Sequence, residues 1–218
     1  MPADESYQKT KRLKQEGTPL LRPFHEMAEW ITEEHKVPVL NVIYKFDALI
    51  RRPRIEVIVE TEAQLSKLRT GRFSFSTSIN ERRASEQFTL LLTECGLPNF
   101  RTKDLFVIFS AFEPIARIDV LYQLSEEMLD QFRQQLKHEA LWKIVVGIGQ
   151  VIFFFYTAKQ MSEWEHSCLR DEWTRQINSL IQPFDEFGYF GLRPLNLILD
   201  SKENLDQTYG GSLFYYFR

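Results

Sequence analysis

The residue types best suited to chemistry in this chain are three arginines set around a proline, Arg51, Arg52 and Arg54 about Pro53. A guanidinium fork bonds two oxygens of one anion at once, so the cluster points to phosphate or carboxylate. Lys45, Arg69 and Arg72 are near enough in sequence to join it, and Phe73 and Phe75 offer rings on which a nucleic-acid base could stack. The alternative is a charged hairpin tip that protects a sheet edge. Among the four histidines, His25 stands one helical turn before Glu29, with Glu26 and Glu33 nearby, which is the start of a metal site. A metal needs three or four converging ligands, and no His-Glu-x-x-His order completes this set. A solvated helix face beside Trp30 is the simpler reading.

Other reactive types are scattered. His166 and Cys168, two apart, point in different directions on a helix, so a Cys–His nucleophile has no local support. Glu163, Glu165, Asp171 and Glu172 make an acidic run, but acid–base work needs carboxylates held in a pocket. Gly147-Ile148-Gly149 lacks the third glycine of a dinucleotide fingerprint and reads as a hairpin turn. With no P-loop and no Gly-x-Ser-x-Gly elbow, no catalytic residue, metal or cofactor is assigned.

The aromatic residues raise a separate question. There are 18 phenylalanines against 9 glycines, enough for a sizeable core. In the run Val151 to Tyr156, Phe153 and Phe155 point to one side, and Ile152, Phe154 and Tyr156 to the other. A strand apolar on both sides is covered on both sides, by helices and by either the rest of the protein or another protein. Leu213 to Phe217 poses the same question. Phe153, Phe155, Phe214 and Tyr216 are therefore the candidate partner-facing residues, with core packing as the alternative.

A formal charge of −3 argues against a strongly basic nucleic-acid or membrane binder. Two cysteines, Cys95 and Cys168, suit a reducing compartment better than a disulfide scaffold. The N-terminus has no apolar run, and the tract Ile144 to Tyr156 is too short and glycine-broken to span a bilayer. The expectation is a cytoplasmic protein without a membrane role.

The elements that would position these residues recur around one junction. Glu56 to Leu68 and Val151 to Trp164 align so that Thr61 meets Thr157, Gln64 meets Gln160, and Ser66 meets Ser162. Thr-x-x-Gln is a capping box, so each junction is a strand leading into a capped helix. Around it, residues 1–17 read as a solvated tail, and Thr18-Pro19 opens a helix with Leu20, Phe24, Met27, Ala28 and Ile31 on one face. A hairpin follows from Pro38, then an edge strand at Arg72 to Thr77 and a helix opened by Ser78. Strands are expected at Leu105–Phe112 and Ile118–Gln123. The second part repeats helix, hairpin, helix, with strands at Leu195–Leu199 and Leu213–Phe217.

The expected fold class is α+β, with antiparallel sheets covered by helices. Two diverged repeats, each helix–hairpin–helix–hairpin, would occupy residues 18–124 and 125–218. This order resembles the small chaperones of type III secretion, which combine two or three helices with an antiparallel sheet; no motif carries the likeness and no residue role comes with it. The expected function is non-catalytic binding of a protein partner, or homodimerisation, through a sheet edge or apolar face. The alternatives are nucleic-acid or phosphate binding at Arg51, Arg52 and Arg54, or an enzyme using His25, Glu29 or His166 in a pocket between the repeats.

Overall fold

Asp4 starts the first helix by accepting the Ser6 amide at 2.8 Å, and α1 (Glu5–Glu16) follows. The computed structural model describes residues 1–47, 49, 51–69, 79–165, 169–193, 195 and 197–218. Residues 1–17 are thus not a solvated tail. Ser6, Tyr7 and Thr10 are buried, and the Tyr7 ring stacks on Phe112 at 5.1 Å. The polar composition that suggested a tail includes side chains that bond to polar groups of the sheet, Ser6 to Glu56 and Thr10 to Asn41.

The chain divides into two units, Met1–Ile115 and Ala116–Arg218. The first continues with α2 (Phe24–His35), β1 (Val39–Asp47), β2 (Arg52–Val59), α3 (Glu62–Leu68), α4 (Ile79–Glu94) and β3 (Phe106–Ala111). The helix α5 (Glu113–Leu121) contains the boundary. The second unit holds α6 (Glu126–Gln135), β4 (Leu141–Val146), β5 (Val151–Phe155), α7 (Ala158–Glu165) and α8 (Leu169–Ile181). A 3₁₀ turn (Gln182–Phe184) leads to α9 (Tyr189–Leu192), β6 (Leu197–Ser201), α10 (Lys202–Tyr209) and α11 (Leu213–Tyr216).

The α+β class holds, and its sheets are two, each of three strands, in the orders β1-β2-β3 and β4-β5-β6. They are mixed rather than antiparallel. In each sheet the hairpin is antiparallel, and the third strand joins parallel to the hairpin's second strand. A parallel return needs a crossover, and the intervening helices supply it.

The second hairpins expected at Ile118–Gln123 and Leu213–Phe217 are helices. Pro114 sits in the first turn of α5, where a missing amide costs nothing, and Ala116 and Val120 bury one face four residues apart. The polar stretch after Asp200 is α10, capped by Ser201 accepting the Asn204 amide at 3.1 Å. The first predicted helix begins at Phe24 rather than Pro19, with Met27, Ala28 and Ile31 buried as expected. The strand expected at Arg72–Thr77 and the cap expected at Ser78 lie outside the described residues.

Both capping boxes form. The Gln64 amide donates to Thr61 Oγ1 at 3.2 Å while Gln64 Oε1 accepts the Thr61 amide at 3.1 Å. At the second junction the same bonds measure 3.2 and 3.0 Å. One face of each sheet builds an apolar core. In the first unit Ile55, Val57, Val59, Val107 and Phe109 meet Met27, Ile31 and Phe88. In the second, Val151, Phe153, Phe155 and Leu197 meet Phe132, Trp164, Trp173 and Ile177.

Candidate functional site

The arginine cluster is split by the strand it lies on. Arg51 is exposed at the hairpin apex with φ of 52°. Arg52 donates from Nε to the Asp104 carbonyl at 2.9 Å and lies over the Phe106 ring at 5.3 Å. Arg54 is held between two carboxylates, 3.4 Å from Asp47 and 3.7 Å from Glu56, and is a structural ion pair. Lys45 pairs with Glu5 at 3.6 Å, and Arg69 donates to the Phe109 carbonyl at 3.3 Å. Arg72, Phe73 and Phe75 lie outside the described residues. The sequence reading missed Arg101, whose guanidinium covers Phe46 at 5.3 Å, and Lys103; parallel pairing of β3 with β2 brings both to this end of the sheet.

The four partner-facing candidates separate sharply. Phe153 and Phe155 are each 0% exposed, with Trp173 stacked over them at 5.7 and 6.4 Å. They are core residues and no partner reaches them. Tyr216 is half-buried: its ring meets Phe154 at 5.2 Å and its hydroxyl donates to Asp200 at 2.6 Å. Burial, and then the adjacent Asp200 carboxylate, push its phenol above the ordinary tyrosine range. Only Phe214 is openly exposed, beside Tyr215 and under the Arg218 guanidinium at 4.6 Å.

His25 Nε2 lies 3.3 Å from Glu29 Oε1, and both side chains are half exposed. They line an open cleft of about 510 Å³ with Leu13, Leu20 and Thr32. Among the described residues no three His, Cys, Asp or Glu side chains gather as metal ligands. A second cleft, about 470 Å³, is lined by Thr89, Leu92, Thr93, Leu97, Pro98 and Phe100 and carries no titratable group. Glu163 and Glu172 face solvent on α7 and α8 and pair with Lys159 and Arg175 of their own helices. His166 and Cys168 lie outside the described residues. No helix among those residues is long and apolar enough to cross a membrane.

A different feature stands out at the second sheet. Its outer strand β4 borders a groove of about 220 Å³, lined by Lys143–Val146 on one side and by Leu121, Tyr122, Leu124, Glu126 and Leu129 on the other. Leu121, Leu124, Leu129 and Ile144 form a buried floor. Lys143 Nζ and Glu126 Oε1 face each other at 3.5 Å on the rim. The Gly147 amide donates to the Gln150 carbonyl at 2.9 Å, which fixes the ladder's alternation. Val145 and Lys143 then bond to β5, and the backbone groups of Ile144 and Val146 turn outward. The volume lies below the range of small-molecule sites, roughly 300–1,000 Å³, and suits an apolar side chain.

Comparison with protein-family models, with curated proteins and with solved structures finds no match to this chain.

Proposed function

We propose that this is a cytoplasmic, non-catalytic binding protein, adaptor or chaperone-like in role, that takes an extended segment of another protein as an added strand along β4. The observation that carries the reading is the β4 edge, where outward backbone groups of Ile144 and Val146 border a groove floored by Leu121, Leu124 and Leu129. In strand addition, main-chain bonds supply affinity and pockets for alternate side chains supply preference. The groove accepts one apolar side chain of the incoming strand, and Lys143 with Glu126 presents both charges beside it.

Selection of random peptides displayed on phage tests this directly. Selected peptides are expected to carry an apolar anchor in an extended, β-branched context and to slow amide exchange at Ile144 and Val146. Val146→Pro removes an outward donor while sparing the β5 ladder, and is expected to weaken binding roughly tenfold with little change in melting temperature. Peptides indifferent to this substitution, or a selection that yields none, would remove the reading. A concentration-dependent dimer that Val146→Pro dissociates would assign the edge to a second copy of the chain instead.

We also propose that the two units descend from one ancestral segment. Support comes from their common strand order and pairing sense and from bulges at Val39/Asn41 and Leu141/Lys143. The helix after each third strand is anchored alike, by the Glu113 backbone amide donating to the Glu60 carbonyl and the Glu203 backbone amide to that of Tyr156. An experimental structure in which the units do not superpose with Thr61 on Thr157 would end this proposal.

A further inference from the structure

We propose a second binding site, independent of the β4 reading, at the open end of the first sheet, where clustered cations take a ligand carrying closely spaced phosphates. Parallel register sets Arg54 beside Phe106. Arg52 reaches past the end of this pairing to donate to the Asp104 carbonyl at 2.9 Å, and Arg51 and Lys103 are the chain neighbours of these two residues. The Arg52–Asp104 bond thus brings the Arg51–Arg52 turn and the Lys103–Asp104 turn together at one end of the sheet. Arg101, two residues earlier, reaches back over β1 to cover Phe46.

The pairing pattern at this end is selective. Arg54 and Lys45 are matched with Asp47, Glu56 and Glu5. Among the described residues no carboxylate comes within ion-pair distance of Arg51, Arg52, Arg101 or Lys103, all of which are exposed. Asp104 shares the patch and is exposed, but the balance there stays positive. Two of the guanidiniums lie over rings, Arg52 over Phe106 and Arg101 over Phe46, each at 5.3 Å. A guanidinium over a ring still has N–H groups to offer to phosphate oxygens. Holding the side chains in place also reduces the rotamer freedom lost on binding. Several neighbouring cations match several phosphates better than one.

The same chemistry is offered by a free polyphosphate and by a nucleic-acid backbone, and titration separates them. The full chain is titrated at low salt with sodium tripolyphosphate and, separately, with a fluorescein-labelled oligothymidine. Binding is expected with a log–log dependence on salt. Arg51→Ala combined with Lys103→Ala is expected to weaken it about tenfold or more and to lower the oligothymidine salt slope by roughly 0.7 per cation removed. Tripolyphosphate binding alone assigns a free polyphosphate, and oligothymidine binding alone assigns a nucleic-acid backbone. Arg133→Ala with Arg175→Ala in the second unit removes as much charge and is expected to change nothing. Absence of binding by either probe, or equal weakening by the two double variants, overturns the proposal. Val146→Pro should leave this binding intact, so failure here and failure of the β4 reading are distinguishable.

Discussion

The face of the first sheet turned away from its main apolar core carries Asn41, Lys45, Glu56 and Ser110 among the buried Ile43 and Ile58, and α1 brings polar side chains as well as the Tyr7 ring, stacked on Phe112. Ser6 donates to Glu56 at 2.6 Å, the Asn41 amide donates to Thr10 at 3.0 Å, and Lys14 reaches Glu60 at 3.1 Å. The second sheet has the same strand order and pairing sense, yet its corresponding face carries Ile152, Phe154 and Ile198 under Leu205, Tyr209, Leu213, Tyr216 and Phe217. The first cover adds matched hydrogen bonds to its apolar contacts, and the second is dominated by burial of rings. Hydrogen bonds demand a partner at each position and so set where α1 lies, while the aromatic cover gains from buried area. One strand plan thus tolerates two kinds of second layer, provided each is satisfied throughout.

Substitutions should affect the two layers unequally. Phe154 is 0% exposed with rings of Trp142 and Tyr216 against it, so Phe154→Ala is expected to cost about 3–5 kcal/mol in chemical denaturation. A loss under half that size would mean that the cover closes over the gap, and the contrast with α1 would weaken. In the first unit, Glu56→Gln leaves Ser6 and Ser110 with a weaker acceptor, and about 1–3 kcal/mol is expected to be lost. Its signature should be faster amide exchange across α1, with the strands of the sheet little changed.

The junctions should respond alike where the layers do not. Thr61→Ala and Thr157→Ala each remove one capping bond, at about 1 kcal/mol apiece. A large effect at one threonine and none at the other would show that the two junctions are not equivalent.

The smallest effect is one of pH. Tyr216 keeps its proton in the folded chain to higher pH than an ordinary tyrosine. The unfolded chain loses that proton first, near pH ~10, so this contribution is complete below that value and is lost as pH rises beyond it. Stability measured across that alkaline range should therefore fall less steeply for Tyr216→Phe than for the parent chain. Parallel decline in the two proteins would detach Tyr216 from the aromatic cover.

Much of the local plan was present in residue order. Thr61-x-x-Gln64 and Thr157-x-x-Gln160 cap their helices because a capping bond spans three residues and needs nothing else. The hairpins around Arg51–Arg54 and Gly147–Gln150 follow from alternation and turn residues, and the buried face of α2 from helical spacing. The strand-like runs after Ala111 and Tyr209 misled because β-branched and aromatic residues serve equally in a helix with one face covered, and only the surroundings decide. The candidate sites were less legible. Phe153 and Phe155 are apolar whether they face a core or a partner. Arg101 and Lys103 are some fifty residues from Arg51 in the chain, so nothing local links them.

Sequence by itself determined the capped junctions, the hairpins and the amount of apolar surface to be buried, since these depend on neighbours within a few bonds. Tertiary structure decided that β3 and β6 return parallel to β2 and β5, leaving β4 as an outer strand and drawing Arg101 and Lys103 to the arginine hairpin. That choice rests on which element claims the open side of a central strand, a competition among segments far apart in the chain that no short stretch of residues can express.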